Sequence, residues 1–98
     1  MNIQSQKNGT ELAIALSGRL DTTTAPELEQ TLKGALEGIT SLSFDLADLE
    51  YMSSAGLRVM LSAQKTMTKQ GTMTVTHVNE TIMEIFEVTG FSDILTIV

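Results

Sequence analysis

The most informative segment of this chain is Asp45–Leu57, whose sequence is DLADLEYMSSAGL. An apolar strand pattern ends there, two adjacent serines follow, and Gly56 then opens a long segment with helical apolar spacing. A hydroxyl at such a junction lies where a helix presents unpaired backbone N–H groups. Those groups, with the positive end of the helix dipole, stabilise an anion such as a phosphoryl group. The segment therefore predicts a phosphorylation switch with Ser54 as the acceptor.

The two serines, Ser53 and Ser54, also have a plain structural interpretation. One would cap the helix and the other would fill a tight turn, as serines often do before helices, and the local sequence alone favours this. Gly56 favours the functional interpretation. A glycine in the first helical turn destabilises the helix by about 1 kcal/mol relative to alanine, so its presence indicates that another group approaches the backbone closely. Since Ala55 is also small, we expect the surface around Ser54 to be open to another protein's active site.

The rest of the sequence predicts strands that alternate with helices. Apolar alternation and the turn residues between segments indicate strands at Ile3–Gln6, Glu11–Leu16, Leu42–Leu46, Thr72–Val78 and Ile94–Val98. Because this order gives parallel sheets with right-handed crossovers, we expect a single α/β domain over residues 1–98. Only the opening hairpin should be antiparallel. The predicted fold is a mostly parallel mixed β-sheet with an N-terminal antiparallel strand and helices packed on it.

Three helices are expected between these strands. The first begins with a capping box formed by Thr24 and Glu27 and ends at Gly38. The second covers Ser54–Gln70, and the third follows Asn79 as its N-cap and stops at Gly90. The methionines fall mostly on apolar faces of these elements, so we assign them to core packing.

The composition excludes several classes of function. Six Lys and Arg residues against twelve Asp and Glu residues give a net charge of −6, which argues against binding to nucleic acid or to an anionic membrane surface. The absence of cysteine excludes disulfides, thiolate nucleophiles and thiolate metal sites. No apolar run approaches the ~20 residues of a spanning helix, and the N-terminus lacks an apolar leader. We therefore expect a cytoplasmic protein without membrane insertion.

Several segments together resemble one protein family. Tyr51–Leu57 resembles the phosphorylation loop of bacterial anti-sigma factor antagonists, which are single-domain members of the STAS superfamily. Gly18–Ala25 resembles the second characteristic loop of that family, and Gln70–Gly71 and Val88–Phe91 also match it. The resemblance covers nearly the whole chain in order and spacing, and it is therefore more specific than any single motif.

The resemblance implies a regulatory binding module with no catalytic activity and no cofactor. In such a module a GHKL-type anti-sigma factor serine kinase phosphorylates the second position of the loop, here Ser54, and a PP2C-type phosphatase removes the phosphate. The unphosphorylated form binds the kinase and releases a sigma factor for transcription. The implied partner-binding residues are Asp21, Thr22, Thr23, Ser53, Ser54, Ala55, Gly56 and Leu57.

Two departures from the family pattern affect these expectations. Many members carry Asp at the position of Ser53, so a carboxylate next to the acceptor is missing here and Ser53 remains a minor alternative acceptor. The family usually adds a C-terminal helix beyond the position of Val98. We therefore expect one apolar face to be less covered or to meet a partner, which includes a second copy in a homodimer.

Other polar residues have a functional and a plain interpretation. Asp21 is either a solvated turn carboxylate or, under the resemblance, part of the kinase-docking loop, and the sequence does not separate the two. Asp45, Asp48 and Glu50 could suggest a divalent metal site, but a solvated acidic rim explains them better and no metal is expected. His77, the single histidine, is expected to be structural or at the surface.

Two rival functions follow from the same pattern. An enzyme or phosphorelay receiver would need an acidic pair after the first strand, a late lysine, or a Gly-rich phosphate loop, and the chain has none of these. A STAS scaffold subunit of a transport or stressosome-like assembly would share the fold, and even the serine, without a sigma-factor circuit. The scaffold is the stronger alternative.

Overall fold

The computed structural model describes all 98 residues of the chain. The elements in chain order are β1 (Asn2–Asn8), β2 (Glu11–Leu20), α1 (Ala25–Leu32), β3 (Ser41–Met52), α2 (Ser54–Gln70), β4 (Thr72–Thr76) and α3 (Glu80–Thr89). A short 3-10 turn, Phe91–Asp93, follows the last helix. None of the helices combines the length and the apolar character that crossing a membrane requires.

The four strands form one mixed sheet in the order β1-β2-β3-β4. β1 pairs antiparallel with β2, whereas β2 with β3 and β3 with β4 are parallel. Ile14, Phe44 and Val75 lie side by side across the three parallel strands, and all three are buried. The predicted fold class is confirmed, including the antiparallel hairpin at the N-terminus.

The core is one contiguous cluster of 24 apolar residues, and no polar side chain is buried within it. In β2 the alternation of buried and exposed positions directs every second residue to the helices, as the sequence pattern predicts. α2 adds a buried stripe that includes Met60, Ala63 and Met67. Met52 and Met73 are also buried, so the assignment of these methionines to core packing is confirmed.

The C-terminal half of β3 is irregular. Ala15 pairs with Asp45 but Ser17 pairs with Asp48, and a second shift of register follows near Tyr51. β3 therefore carries extra residues relative to β2, which is the property of β-bulges. Bulges bend a strand, and this bent segment leads directly into the start of α2.

Two predicted elements are wrong. No strand spans Ile94–Val98, because the Ile94 and Leu95 N–H groups donate to the Phe91 carbonyl in a helical turn, and only Ile97 forms an isolated bridge with Val75. The first helix ends at Leu32 rather than at Gly38. Lys33 is extended and Gly34 has a left-handed backbone (φ 84°), which stops the helix early.

β4 also ends two residues earlier than predicted, at Thr76 rather than Val78. His77 takes a left-handed backbone conformation with φ of 56°, which is uncommon for a residue with a side chain. The strand ladder cannot continue through this conformation. The chain instead turns toward the Asn79 cap of α3.

Candidate functional site

The candidate site is the junction between β3 and α2. The Ser53 N–H donates to the Leu20 carbonyl at 2.8 Å, and the Ser53 carbonyl accepts the first helical hydrogen bond, from Leu57, at 3.0 Å. α2 therefore begins at Ser54, as predicted. The N–H groups of Ser54, Ala55 and Gly56 have no backbone or side-chain acceptor in the chain. These unpaired donors form the positive end of a 17-residue helix.

The two serine hydroxyls have opposite environments. Ser54 is exposed at the first position of α2. Ser53 has the extended backbone of an N-cap residue, but its side chain makes no cap hydrogen bond, and its Oγ is buried without a partner. The interpretation of one serine as a helix cap thus holds for the backbone of Ser53 only, and of the two serines Ser54 is the exposed one.

Packing within the chain explains why position 56 is a glycine. A Cβ at Gly56 would stand 2.7 Å from Leu20 Cγ and 2.9 Å from Met52 Cγ, closer than carbon atoms pack. The close approach that the sequence indicated is therefore the packing of α2 against β2 and β3. Gly56 and Leu57 are both buried, in contrast to the exposed Ser54 that precedes them.

The Asp21 carboxylate organises the loop between β2 and α1. Its Oδ1 accepts the Thr23 N–H at 3.0 Å, the Thr23 hydroxyl at 2.7 Å and the Thr24 N–H at 3.2 Å. The Thr23 hydroxyl has the largest effect on the Asp21 pKa and lowers it, partial burial opposes this effect, and the two N–H groups add to it. The carboxylate is thus held ionised inside its own loop, while Thr22 and Thr23 are exposed around it.

The predicted capping box of Thr24 and Glu27 is wrong. Thr24 has a helical backbone (φ −103°, ψ −21°) rather than the extended one that lets a cap hydroxyl reach forward. Its hydroxyl instead accepts the Asp21 N–H at 2.8 Å and donates to the Arg19 carbonyl at 2.8 Å. Asp21, rather than Thr24, therefore accepts the hydrogen bonds that stabilise the start of α1.

The structure brings the Asp21 loop and the Ser54 junction together at one end of the sheet. The Arg19 guanidinium lies over the Tyr51 ring, 4.6 Å from its centroid, and its Nε is 4.0 Å from Asp21 Oδ2. A stacked cation of this kind stabilises the contact modestly. The two segments that the sequence singled out therefore share one surface, with Arg19 and Tyr51 between them.

A groove runs from the Ser54 junction to α3. It has a volume of about 470 Å³ and is lined on one side by Tyr51, Ser54 and Leu57. Its other side is formed by residues of α3, namely Thr81, Glu84, Ile85, Val88 and Thr89. Val88 is 81% exposed and Tyr51 is 36% exposed, so both present apolar surface to solvent at this groove.

Sequence reasoning missed the α3 side of this groove. The buried stripe of α3 contains Ile82 and Phe86, four residues apart. Val88 lies six residues after Ile82, so it falls off that stripe and faces outward. The position of Val88 off the helical stripe could have been read from the sequence, and it would have predicted an exposed apolar side chain on α3.

The other polar residues form no comparable site. His77 is at the surface, in agreement with the expectation, and its Nδ1 lies 3.3 Å from Asp45 Oδ1. Asp48 and Glu50 are exposed. No three His, Asp or Glu side chains come together in an arrangement that could hold a metal ion.

Comparison with known proteins gives consistent matches over the full chain. The family model described as "Mlab, STAS domain" matches residues 3–97. An anti-sigma-B factor antagonist of Bacillus subtilis is 30% identical over 98 residues, which cover 99% of this chain and 90% of the relative. An anti-sigma-B factor antagonist of Listeria monocytogenes is 32% identical over 103 residues, with the same coverage of both chains.

Solved structures show the same fold. The Bacillus anti-sigma factor antagonist SpoIIAA in its unphosphorylated form has a TM-score of 0.85 and 17% identity, covering 99% of this chain and 88% of that chain. Its phosphorylated form has a TM-score of 0.77 at the same identity, covering 99% of this chain and 91% of that chain. At this level of identity the likeness concerns the architecture of the sheet and helices.

Proposed function

This chain belongs to the STAS domain family, and from that premise we propose that it is an anti-sigma factor antagonist controlled by phosphorylation of Ser54. In this proposal the unphosphorylated protein binds an anti-sigma factor serine kinase of the GHKL type in the cytoplasm and so releases a sigma factor. It acts as a binding protein and catalyses no reaction itself. The observation that supports the proposal most is the exposed Ser54 hydroxyl at the unpaired start of α2.

Ser54 is preferred over Ser53 because of accessibility. A kinase must bring its nucleotide phosphate within reach of the acceptor oxygen, and Ser53 Oγ is buried in the packed junction. Phosphorylation of Ser53 would require the β3–α2 junction to open. Phosphorylation of Ser54 requires no such change, since its side chain is already exposed.

The proposed binding surface joins the Asp21 loop, the Ser54 junction and the groove beside α3. Exposed Thr22 and Thr23 supply polar contacts at one end, and Val88 with Tyr51 supplies apolar area at the other. Apolar anchors within a polar rim are the usual composition of a reversible protein interface. Gly56 supports this surface from below by allowing the close packing of α2.

Phosphorylation would act on the complex more than on the fold. A phosphate adds roughly −1.5 to −2 charges, which the helix N-terminus stabilises in the free protein. In the complex the same charge would be desolvated and poorly paired, which costs several kcal/mol. A loss of about 3 kcal/mol already weakens binding more than a hundredfold.

The proposal is tested by phosphosite mass spectrometry of the protein isolated from its native host, with and without stress. We expect a phosphorylated species that maps to Ser54 and changes with conditions. In parallel, calorimetry with the cognate kinase should show a large loss of affinity for Ser54→Asp, with Ser54→Ala as the matched control. A Ser54→Asp variant that binds as tightly as the wild type would count heavily against the switch, and a Ser54 that is never modified would favour the scaffold alternative.

A further inference from the structure

We propose that Arg58, one helical turn after Ser54, is the intramolecular cation that pairs with the phosphate of phosphorylated Ser54 and holds it on the α2 side of the groove. This inference rests on the proposed function, since it concerns the modified form of Ser54. It assigns a positioning role to a residue that the partner-binding surface described above does not include.

The geometry of α2 brings Arg58 close to Ser54. Ser54 is the first residue of the helix and Arg58 is the fifth, so the two lie on the same face about 6 Å apart along the axis. Both residues are exposed. Long side chains on a helix point toward its N-terminus, which directs the Arg58 stem toward Ser54. An acidic group that precedes a basic one by four residues is also the favourable order along a helix.

Arg58 has no other partner in the chain. It forms no ion pair and no hydrogen bond with another side chain, whereas the other arginine, Arg19, lies over Tyr51 and beside Asp21. Arg58 is also the only basic residue in the first two turns of α2. Its guanidinium is therefore free to form the bidentate pair that arginine makes with phosphate.

The start of α2 also lacks a carboxylate. Glu27 and Glu80 occupy the first turns of α1 and α3, but the first turn of α2 contains no acidic residue. In a chain with twice as many acidic as basic residues, α2 thus leaves its positive end uncompensated. A phosphate on Ser54 would supply the negative charge that the other two helices already carry.

Charges on neighbouring elements act on the same phosphate. Glu84 of α3 lines the groove together with Ser54 and would repel it. Arg19 at the end of β2 and Asp21 in the loop that follows form a pair with largely compensating charges. The phosphate therefore faces Arg58 on its own helix and Glu84 across the groove, and both favour a position close to α2.

The test uses the full chain with phosphoserine incorporated at position 54 during translation by codon suppression. Phosphorus-31 NMR then follows the second ionisation of the phosphate with pH. A nearby cation stabilises the dianion and lowers this pKa, so we expect Arg58→Gln to raise the phosphate pKa by roughly 0.3 units, the size typical of an exposed helical ion pair. Glu84→Gln should lower the pKa, because it removes a like charge.

Two control variants make the result decisive. Arg58→Lys retains the positive charge, so most of the lowering of the phosphate pKa should remain. Lys65→Gln removes an exposed charge three turns from Ser54 and should change the phosphate pKa little. An unchanged phosphate pKa in Arg58→Gln, or an equal rise in Lys65→Gln, would overturn the inference. Thermal unfolding of the unmodified variants checks that each remains folded.

The outcome is independent of the kinase, because the phosphoserine is incorporated without one. If Ser54 is never phosphorylated in the native host, the proposed function is wrong while the NMR titration still reports on the pairing. If Ser54 is phosphorylated but Arg58→Gln leaves the phosphate pKa unchanged, the switch stands and the role of Arg58 is wrong.

Discussion

At the scale of single residues, Ser53 and Ser54 are chemically identical but have different surroundings. Ser54 projects into solvent at the start of α2, whereas the backbone of Ser53 is held by the hydrogen bond to the Leu20 carbonyl. Ser53 Oγ is buried and has no partner, and such a hydroxyl costs free energy because it has lost its bonds to water. Ser53 thus has the backbone conformation of an N-cap residue and a buried hydroxyl without a hydrogen-bond partner.

The first prediction concerns the stability of Ser53→Ala. Replacing a serine that caps a helix through its side chain usually costs about 1 kcal/mol. Because Ser53 makes no such bond, we expect Ser53→Ala to leave the free energy of unfolding unchanged or to raise it by up to about 1 kcal/mol. Urea denaturation followed by circular dichroism measures this, with Ser62→Ala at an exposed position of α2 as the control. A loss near 1 kcal/mol would mean that the hydroxyl caps α2 in solution.

The second prediction concerns the ionisation of Asp21. Thr23→Val keeps the shape and the N–H of the residue but removes the hydroxyl that donates to Asp21 at 2.7 Å. Since this hydroxyl is the largest cause of the lowered pKa, we expect the Asp21 pKa to rise toward its ordinary value of 3.8. Carbon-13 NMR of the side-chain carboxyl measures the change, and Thr22→Val, next to it in the loop, is the control. A Thr23→Val variant with the wild-type Asp21 pKa would contradict the assignment.

The sign of the effect on stability follows from the direction of the shift. The folded protein holds the Asp21 pKa below 3.8, so the unfolded chain binds the proton more readily. The stabilisation is present above pH 3.8 and is lost as the pH falls through the lower folded value. At neutral pH the loop is therefore in its ordered, ionised form.

At the scale of elements, the junction between α2 and β4 ties the helices to the sheet. The Gln70 side-chain amide donates to the carbonyls of Leu36 at 2.6 Å and Ile39 at 2.7 Å, in the irregular segment after α1. A Cβ at Gly71 would lie 1.9 Å from the Thr40 carbonyl oxygen, so only glycine allows this approach. The Thr72 N–H then donates to the same oxygen at 2.9 Å.

The third prediction follows from this junction. Gln70→Met has a similar length but removes the amide donor, so the Ile39 carbonyl loses its partner while the Leu36 carbonyl keeps only the Ile39 N–H. We expect a loss of about 1–2 kcal/mol in the free energy of unfolding. Lys69→Met, at the exposed neighbouring position, should change stability little and is the matched control in the same urea titration. Equal urea midpoints for Gln70→Met and Lys69→Met would show that water replaces the Gln70 amide without loss of stability.

The accuracy of the sequence prediction varied between elements for physical reasons. The bounds of α2 and the Asn79 cap of α3 were predicted correctly because periodicity and capping are local, and Asn79 Oδ1 accepts the Ile82 N–H at 2.9 Å. The strand predicted at Ile94–Val98 was wrong because Ile94 and Leu95 belong to a helical turn after Phe91, which leaves only Ile97 to pair with β4. The left-handed backbone of Gly34 ends α1 early. The apolar spacing continues beyond it because Leu36 and Ile39 are also buried in the core, although they lie in turns and not in a helix.

The candidate site was predictable only in part. The serine pair and Asp21 could be found in the sequence because each carries a recognisable local pattern. The relation between them could not, because it depends on the Ser53 to Leu20 hydrogen bond and on Arg19 lying over Tyr51. Contacts across parallel strands leave no local pattern, so before the structure only the family resemblance placed the two segments on one surface.

At the scale of the whole molecule, one face of the sheet holds the core and the candidate site lies at its end. Three helices cover the apolar face, and the core contains no polar side chain. The net charge of −6 is distributed over the exposed surface, whereas the groove beside Ser54 contains a single carboxylate, Glu84. The groove that adjoins the exposed serine is thus lined almost entirely by uncharged side chains.

The last prediction tests the groove as part of the kinase-binding surface. Val88→Asp puts a charge on an α3 side chain that is 81% exposed, so the fold should tolerate it. If Val88 packs against the kinase, the charge must be desolvated, and we expect at least a tenfold loss of affinity by calorimetry, about 1.4 kcal/mol. Val98→Asp is the matched control, because Val98 is 72% exposed and lies outside the groove. Since both variants change the net charge equally, an equal effect on affinity would indicate general repulsion, and only a selective loss in Val88→Asp places the kinase on the groove.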